Sequence, residues 1–322
     1  MANIPLLIGI DGGATKTAGV LITSDGRVVA RARARGSAII GPPGSEACAT
    51  LSSIVDSLCA QAAIARGDIA WLGLGLNGID FEDELPMQHA ALAAALGISP
   101  DRFTLVNDGL VALWGASAAP AACIVHHGSG FTAAYRAEHG GERLFNHLDV
   151  ARVFDMRSAL VSLVERMILG MAPPTPLKEK ALAHFGITDE RKYCEAVFRR
   201  LIPRERQLSS LPLIYQAWLE GDPAAVELVR KAVDDYALAA RAMIAKTGRP
   251  DADATFGGGV IASAPAQFWP LLAARVHDCY PAATVKLPEL PAELGAAIMA
   301  GYRIGLDPAK LFEELREADS DR

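Results

Sequence analysis

Short apolar segments bounded by turn residues alternate with longer helical patterns along most of this chain. Residues 4–8 and 18–22 flank a glycine-rich segment, 9–17, and predict two strands joined by a tight turn. Residues 27–35 predict a third strand. Further along we expect a helix over 45–66 capped by Ser45, a strand over 69–76, a helix over 85–96 and a strand over 103–106.

The opening pattern recurs in the middle of the chain. Strands predicted over 122–125 and 131–135 flank another glycine-bearing turn, and residues 142–145 predict a further strand. Two such units indicate a duplicated α/β architecture in which a nucleotide lies clamped between two hairpins. We therefore expect two domains, residues 1–118 and 119–322. The second is predicted to hold a helical insertion over about 150–246, a strand over 254–256, a helix that includes Pro265, a small-residue helix over 291–301 and a charged last helix that is a candidate to pack back on the first domain.

The composition is that of a globular protein, whose expected partners are small molecules or copies of itself. The 322 residues are 51% hydrophobic and 21% charged, and the net charge is −6 with no long basic run. We therefore expect no nucleic-acid partner and no contact with an anionic membrane. Arg31, Arg33 and Arg35 alternate in the third predicted strand, and we interpret them as one solvated edge face.

The cysteines and the N-terminal segment indicate a cytoplasmic protein. The five cysteines are scattered and form no C-x-x-C pair, which argues against a disulfide framework or a zinc site. The pattern of a signal peptide is absent, and no apolar run reaches the roughly 18 residues of a membrane span.

The first glycine turn has the chemistry of a phosphate site. Gly12 and Gly13 let an anion approach the backbone, and the T-K-T run at 15–17 adds hydroxyl and ammonium donors. Asp11 would repel phosphate unless a cation lay between them, so the segment predicts Mg²⁺ held by a carboxylate together with phosphate oxygens. The alternative is an ordinary Asp-Gly hairpin with solvated Thr and Lys side chains.

A second carboxylate stands where ligands bind in open α/β sheets. Asn107, Asp108 and Gly109 lie between a predicted strand and a helical pattern over 110–116. Asp108 would therefore stand at the C-terminal end of a strand, which is the usual ligand-binding edge. A helix N-cap is the alternative role, and one carboxylate can serve both.

Three glycines at 257–259 follow a predicted strand directly. They remove side chains from a surface, which fits the flat face of a nucleobase and its ribose. A flexible loop is the alternative, and the well-patterned segments on both sides argue against it.

We reject the ligand sites that two further motifs would suggest. Residues 73–78 match G-x-G-x-x-G, but these glycines lie in the strand itself and an acidic loop follows, so we reject a dinucleotide site. We expect the glycines to permit close packing or the approach of a substrate. His126 and His127 are neighbours on a strand and point to opposite faces, which argues against chelation of one metal ion.

The motifs G-I-D-G-G-A-T-K-T, N-D-G, H-G-S-G, F-G-G-G-V and L-G-A-A, taken in this order, resemble the superfamily of sugar kinases, actin and heat-shock ATPases. Within it, the chain is most similar to the BadF/BadG/BcrA/BcrD ATPase family, which includes N-acetylglucosamine kinase and bacterial glucosamine kinases. The resemblance implies two actin-like, ribonuclease H-like domains with an active-site cleft between them. It also implies ATP and Mg²⁺ as cofactors, a small sugar as substrate and a homodimer.

The resemblance extends to individual residues. Asp11 would organise Mg²⁺, directly or through water, and Asp108 would take the proton from the sugar hydroxyl. The phosphates of ATP would meet Gly12, Gly13, Thr15, Lys16, Gly128, Ser129 and Gly130, and the adenosine would meet Gly257, Gly258 and Gly259. The sugar would contact Asn77, Gly78, Asp80, Asn107, Asp108, Asp155 and Arg157.

Three segments depart from the family pattern. Residues 126–130 read H-H-G-S-G instead of S-G-T-G-S, and residues 36–40 lack the asparagine that holds the sugar. Residues 147–158 lack the glycines and the glutamate of a loop of the form G-G-W-G-x-x-x-G-D-E-G-S. Because Arg152 and Arg157 replace small or acidic residues there, one hypothesis is a substrate that carries an anionic group.

Three functions remain open at this point. The leading interpretation is ATP-dependent phosphorylation of a hydroxyl on a sugar or sugar derivative. An ATPase activator of a radical enzyme would need closely placed cysteines for an iron–sulfur cluster, and the scattered cysteines argue against it. The third is a sugar-binding sensor without turnover, and the presence of Asp11, Lys16 and Asp108 argues against that function.

Overall fold

The first of two five-stranded sheets is built from the N-terminal part of the chain. The computed structural model describes residues 4–128, 130–138, 141–145 and 153–320. The strands of this sheet are β1 (Leu6–Gly12), β2 (Lys16–Thr23), β3 (Val28–Arg35), β4 (Ile69–Leu76) and β5 (Phe103–Val106). Their order is β3-β2-β1-β4-β5; the first three are antiparallel, and β4 and β5 run parallel to β1.

The second sheet repeats the first strand for strand. It contains β6 (Ala122–His127), β7 (Phe131–Arg136), β8 (Glu142–Phe145), β9 (Asp253–Gly257) and β10 (Thr284–Lys286). The order is β10-β9-β6-β7-β8, with β6, β7 and β8 antiparallel and with β9 and β10 parallel to β6. The predicted duplication is therefore confirmed, and so is the α/β fold class of two actin-like domains.

Helices cover both sheets and fill the long segment between β8 and β9. They are α1 (Ser45–Ala62), α2 (Leu85–Leu96), α3 (Asp108–Ala116), α4 (Met156–Ile168), α5 (Pro176–Phe185), α6 (Glu190–Phe198), α7 (Arg204–Leu208), α8 (Leu211–Leu219), α9 (Pro223–Thr247), α10 (Gly259–Ala262), α11 (Phe268–His277), α12 (Ala292–Arg303) and α13 (Pro308–Ser320). Helices α4 to α9 occupy the region predicted as helical. None of the helices in the described ranges combines the length and the apolar character that crossing a membrane requires.

The last two helices return to the first sheet. Leu311 and Phe312 of α13 share a buried cluster with Leu7 of β1 and Val20 of β2. A separate cluster on the other face of this sheet joins it to α1 and α2, through residues such as Leu21 and Leu51. The first sheet is thus covered on both faces, while the division of the chain after residue 118 stays a prediction.

Helix α12 approaches the first sheet so closely that the strand residues facing it have no room for a side chain. A Cβ atom on Gly9 of β1 would lie 2.1 Å from the carbonyl oxygen of Glu293, and one on Gly73 of β4 would lie 2.3 Å from that of Ala296. Glycine is therefore required at both positions. Gly73 belongs to the rejected G-x-G-x-x-G motif, so close packing accounts for it. This contact fixes the position of the first turn of α12 against the sheet.

Three predicted helix boundaries are corrected. Helix α1 is capped by Gly44 without a side-chain hydrogen bond, so Ser45 is its first residue rather than its cap, and the helix ends at Ala62 because Ala63 is left-handed. Helix α3 begins at Asp108, two residues earlier than predicted, since Asn107 caps it. The helix expected to include Pro265 is split into α10 and α11, with Pro265 between them.

Candidate active site

A cleft of about 530 Å³ lies between the two sheets. The turns of both hairpins and the first turns of α3 and α12 meet there. The residues predicted for the site that line it are Asp11, Gly13, Thr15, Lys16, Asn77, Asp108, Gly128, Gly130, Gly258 and Gly259. They come from distant parts of the sequence and meet because the two sheets face each other. The predicted cleft is therefore present.

The first turn, residues 13–15 between β1 and β2, presents its polar groups to this cleft. The N–H of Gly13 donates to the carbonyl of Lys16 over 3.0 Å and closes the turn. Thr15 and Lys16 are exposed, whereas Gly12 is buried behind them. Thr17 was expected to face phosphate, but its buried hydroxyl donates to the carbonyl of Arg35 over 2.7 Å and so holds β2 to β3.

Asp11 stands at the base of the turn in a crowded acidic environment. Burial raises the pKa of Asp11 to about 7, and the charges of Asp108 and Glu293 contribute to this rise while Lys16 opposes it. A cation beside Asp11 would stabilise its charged form. In the described part of the chain no group of three or more His, Cys, Asp or Glu side chains could hold a metal by itself. The donor set fits Mg²⁺, which is usually bound by one or two carboxylates together with substrate phosphates.

Asp108 occupies the first turn of α3 with its carboxylate at the cleft. The capping role that was its alternative belongs to Asn107, whose side-chain oxygen accepts from the N–H of Gly109 over 2.8 Å. Asn77 donates to Oδ2 of Asp108 over 3.3 Å. Burial raises the pKa of Asp108, and the hydrogen bonds from Asn77 and Gly109 act in the opposite direction. A carboxylate at a cleft with a raised pKa is suited to accept a proton from a bound hydroxyl.

The cleft is not lined by three of the residues predicted to contact the sugar, Gly78, Asp80 and Asn107. Asn107 donates to Oδ1 of Asp80 over 2.9 Å, which joins the start of α3 to the loop after β4. Gly78 has a φ of +100°, and a Cβ there would lie 1.9 Å from the carbonyl oxygen of Ile39. These residues shape the loop that carries Asn77.

The glycine loop after β9 packs against the second turn, residues 128–130 between β6 and β7. Gly128 donates its N–H to the carbonyl of Gly130 over 2.9 Å, and Ser129 lies outside the described residues. Gly258 has a φ of +87°, and a Cβ there would lie 2.4 Å from the carbonyl oxygen of His127. Gly258 and Gly259 line the cleft, whereas Gly257 ends β9 beside Pro288.

Two titratable side chains that line the cleft were not predicted as part of the site. Glu293, in the first turn of α12, is buried and its Oε1 lies 3.7 Å from Nη1 of Arg31. Arg31 is therefore partly buried, whereas Arg33 and Arg35 are exposed, and all three lie on β3, which is an edge strand as predicted. His126 also lines the cleft, where burial and the charge of Lys16 lower its pKa. An acid opening a small-residue helix was the available signal for Glu293.

Arg157 and Asp155 form an ion pair and are not among the residues that line the cleft, so their contact with the substrate stays a prediction. Arg157 is 4% exposed, and its Nε donates to Oδ1 of Asp155 over 2.8 Å. Its Nη2 lies 3.1 Å from Nε2 of His127, whose Nδ1 lies 2.6 Å from the Tyr236 hydroxyl. Asp155 caps α4, and this position turns Arg157 inward. Arg152 and the rest of residues 146–152 lie outside the described residues.

His126 and His127 face opposite sides of β6, as predicted: His126 lines the cleft and His127 lies in the buried cluster with Tyr236. The two imidazoles therefore do not share a ligand. His127, at the start of the second turn, belongs to a hydrogen-bonded network with Tyr236, Arg157 and Asp155, which brings together three separate parts of the chain.

Several solved structures share the fold of this chain. A provisionally assigned N-acetylglucosamine kinase from Chromobacterium violaceum superposes with a TM-score of 0.67 at 22% identity, over 92% of this chain and 99% of that one. A similarly assigned kinase from Porphyromonas gingivalis gives a TM-score of 0.62 at 21% identity, over 94% and 99% of the two chains. A ROK hexokinase from Thermus thermophilus gives 0.59 at 15% identity, over 93% and 99%.

The sequence identifies the family within this class. Residues 8–300 match the BadF/BadG/BcrA/BcrD ATPase family, and the chain belongs to it. A search of curated proteins found no match. The resemblance drawn from the motifs is thus confirmed.

Proposed function

We propose that this protein is an ATP-dependent kinase that transfers a phosphoryl group to a hydroxyl of a sugar or sugar derivative. The observation that carries the proposal is the position of Asp108. Its carboxylate faces the same cleft as the first turn, the second turn and the glycine loop, and its pKa is raised by burial. Family membership and the sugar kinases among the structural neighbours support the same function.

In this proposal the two turns receive the triphosphate. The hydroxyl of Thr15 and the ammonium of Lys16, both exposed at the cleft, are suited to phosphate oxygens, and the glycines of the two turns leave room for them. The adenosine lies against Gly258 and Gly259, where no side chain obstructs a flat ring. Mg²⁺ is assigned to Asp11 and the phosphate oxygens, and when bound it neutralises charge that develops during phosphoryl transfer.

Asp108 acts as the general base. Its Oδ2 accepts the proton of the sugar hydroxyl as that oxygen forms its bond to the γ-phosphorus, and ADP leaves with the electrons of the broken P–O bond. Asn77 holds the carboxylate in place through the 3.3 Å hydrogen bond. Closure of the two domains, proposed as residues 1–118 and 119–322, would exclude water that competes for the phosphoryl group.

The test is a screen for ADP release from ATP and Mg²⁺ across neutral sugars, amino sugars and their N-acetyl derivatives. We expect at least one sugar to raise ADP release above the level without acceptor, with equimolar sugar phosphate detected by mass spectrometry. Sugar binding without any ADP release would instead identify a sensor. Iron in the purified protein, together with ATP hydrolysis that no sugar stimulates, would identify an activator of a radical enzyme.

The oligomeric state is proposed separately. We propose a homodimer, which light scattering coupled to size-exclusion chromatography measures directly. A single species with the mass of one 34.0 kDa chain would refute it.

A further inference from the structure

A second cavity lies at the other end of two helices that open on the cleft. This cavity, which we call the rear pocket, has a volume of about 670 Å³. Asp108 and Glu293, at the first turns of α3 and α12, face the cleft. Trp114 and Tyr302, toward the last turns of the same helices, face the rear pocket. None of the residues that line the rear pocket belongs to the proposed active site.

The walls of the rear pocket are mainly aromatic and aliphatic. The rings of Trp114 and Tyr302 have their centroids 5.6 Å apart. Met299 of α12 and Phe312 of α13 complete this apolar surface. Such a surface favours an apolar body of a small molecule, and the volume lies within the range of ligand-binding pockets.

One buried cation also lines the rear pocket. Arg136, at the end of β7, is 8% exposed, and its guanidinium carbon lies 5.0 Å from the centroid of the Trp114 ring. Its Nη2 donates to the carbonyls of Ser117 and Ala119, each over 2.6 Å, and its Nε donates to Ala119 over 3.2 Å. Its Nη1 has no hydrogen-bond partner among the residues that the structure describes.

The acidic side chains around Arg136 leave this charge incompletely compensated. Asp253 already pairs with Lys286 at 2.6 Å, and Glu138 pairs with Arg249 at 2.6 Å. Glu142 also lines the rear pocket close to Arg136, but burial raises the pKa of Glu142, which disfavours the charged form of this carboxyl even though Arg136 opposes the rise. Burial lowers the pKa of Arg136, which is the direction expected of a desolvated cation, although the charges of Glu142 and Asp253 oppose this. A buried donor with a positive charge and no acceptor favours an anionic ligand.

We propose that the rear pocket binds a small carboxylate with an aromatic or branched aliphatic body. The carboxylate accepts the free N–H of Arg136 Nη1, and the apolar body lies against Trp114, Met299, Tyr302 and Phe312. This binding site is separate from the proposed kinase activity and does not depend on it.

Occupancy of the rear pocket is coupled to the cleft through the two helices. A Cβ atom on Gly295 of α12 would lie 2.1 Å from the carbonyl oxygen of Val111 and 2.3 Å from the nitrogen of Gly115 in α3. The two helices thus pack backbone to backbone and are expected to move as one unit. A ligand that shifts their C-terminal ends displaces Asp108 and Glu293 at the other ends, so carboxylate and ATP affect each other's affinity.

The test is isothermal titration calorimetry with three acids and their matched amides. The acids are 3-phenylpropionate, indole-3-propionate and 4-methylpentanoate, and each amide keeps the apolar body but removes the charge. We expect at least one acid to bind in the low millimolar range or tighter, and its amide to bind at least about tenfold more weakly. Equal binding of acid and amide, or no binding by any acid, would overturn the proposal.

Two substitutions locate the binding. Ala309→Trp adds a large ring at an exposed position on α13 that lines the rear pocket, and it should weaken binding of the acid at least about tenfold. Ala274→Trp, at an exposed position on α11, is the matched control and should leave binding unchanged. Arg136→Gln should abolish the preference for acid over amide, provided that its thermal unfolding shows a folded protein. Binding that survives Ala309→Trp would refute this location.

The coupling has its own measurement. We expect a saturating acid to change the dissociation constant of ATP about fivefold or more in the wild-type protein, and to leave it unchanged in Ala309→Trp. Because binding is measured without turnover, a protein that binds the acids but phosphorylates no sugar would refute the kinase proposal alone. If the acid left the affinity for ATP unchanged in the wild-type protein, the proposed coupling would be refuted.

Discussion

The side-chain amide of Asn77 donates a hydrogen bond to Oδ2 of Asp108, with 3.3 Å between the nitrogen and the oxygen. Asn77 follows β4 directly, and Asp108 opens α3, so this bond joins the ends of two neighbouring elements. It stabilises the charged carboxylate, whereas burial favours the neutral acid. The balance between these two effects sets the pH range over which Asp108 can act as a base.

Substitution of Asn77 should therefore shift the pH dependence of activity. In Asn77→Ala the pKa of Asp108 loses a lowering contribution, so the acidic limb of the profile of kcat/KM against pH should move to higher pH by up to about one unit. Asp80→Asn is the control with the opposite sign, because the charge of Asp80 raises the pKa of Asp108. Shifts in the same direction for both variants would contradict the role of Asp108.

Removal of the base itself should abolish most turnover. Asp108→Asn keeps the shape of the side chain but accepts no proton, so kcat should fall at least about a hundredfold while the affinity for ATP changes little. Asp83→Asn, at an exposed acid in the loop after β4, is the matched control and should retain full activity. Sugar-dependent ADP release measures both. Near-normal turnover of Asp108→Asn would refute the assignment.

The glycine loop offers a test of backbone geometry. Gly258→Ala places a Cβ 2.4 Å from the carbonyl oxygen of His127 at a φ of +87°, and it should lower the free energy of unfolding by about 1–3 kcal/mol. Gly259→Ala is the control, because a Cβ there meets no atom within 4 Å. Urea unfolding without nucleotide measures the difference. Equal stability of the two variants would show that the loop relaxes freely.

His127 should make stability depend on pH. Burial lowers the pKa of His127 to about 4, and the charge of Arg157 contributes to this. Between this value and the ordinary pKa of about 6.5, the unfolded chain binds a proton that the folded protein does not. The free energy of unfolding should therefore fall as the pH decreases from about 6.5 to about 4, by at most about 3 kcal/mol from this residue.

The variant that checks this effect is His127→Gln, which removes the titrating ring. Its unfolding free energy should depend less steeply on pH in that range than the wild-type value does. Gln61→Ala, at an exposed side chain on α1 that does not titrate, is the control and should keep the wild-type slope. An unchanged slope in His127→Gln would contradict the buried neutral imidazole.

Much of the fold could be predicted because its signals are local. The strand over 69–76 and the helix over 85–96 have the predicted bounds, since apolar periodicity and turn residues mark both ends. The repeated strand–turn–strand pattern also predicted two equivalent sheets. The starts of two helices were missed: Asn107 caps α3 with its side chain, and Gly44 precedes α1 without any side-chain cap.

The candidate site was predictable only where its residues belong to motifs. Asp11, Lys16, Asp108 and Gly258 were expected in the cleft and line it, because each stands at the end of a strand or in a glycine turn. Their roles in phosphoryl transfer remain proposals. Glu293 was missed, since an acid that opens a small-residue helix does not by itself indicate that the first turn of α12 lies near Asp11.

The sequence alone determined the strands, the glycine turns, the duplication and the family, because each of these is recorded in neighbouring residues and their spacing. The tertiary structure decided which charged side chains enter the cleft. Arg157 is drawn away by Asp155 and His127, and Glu293 is brought in by the close packing of α12 on Gly9. Contacts of this kind join residues far apart in the chain, and they depend on how sheets and helices pack in three dimensions.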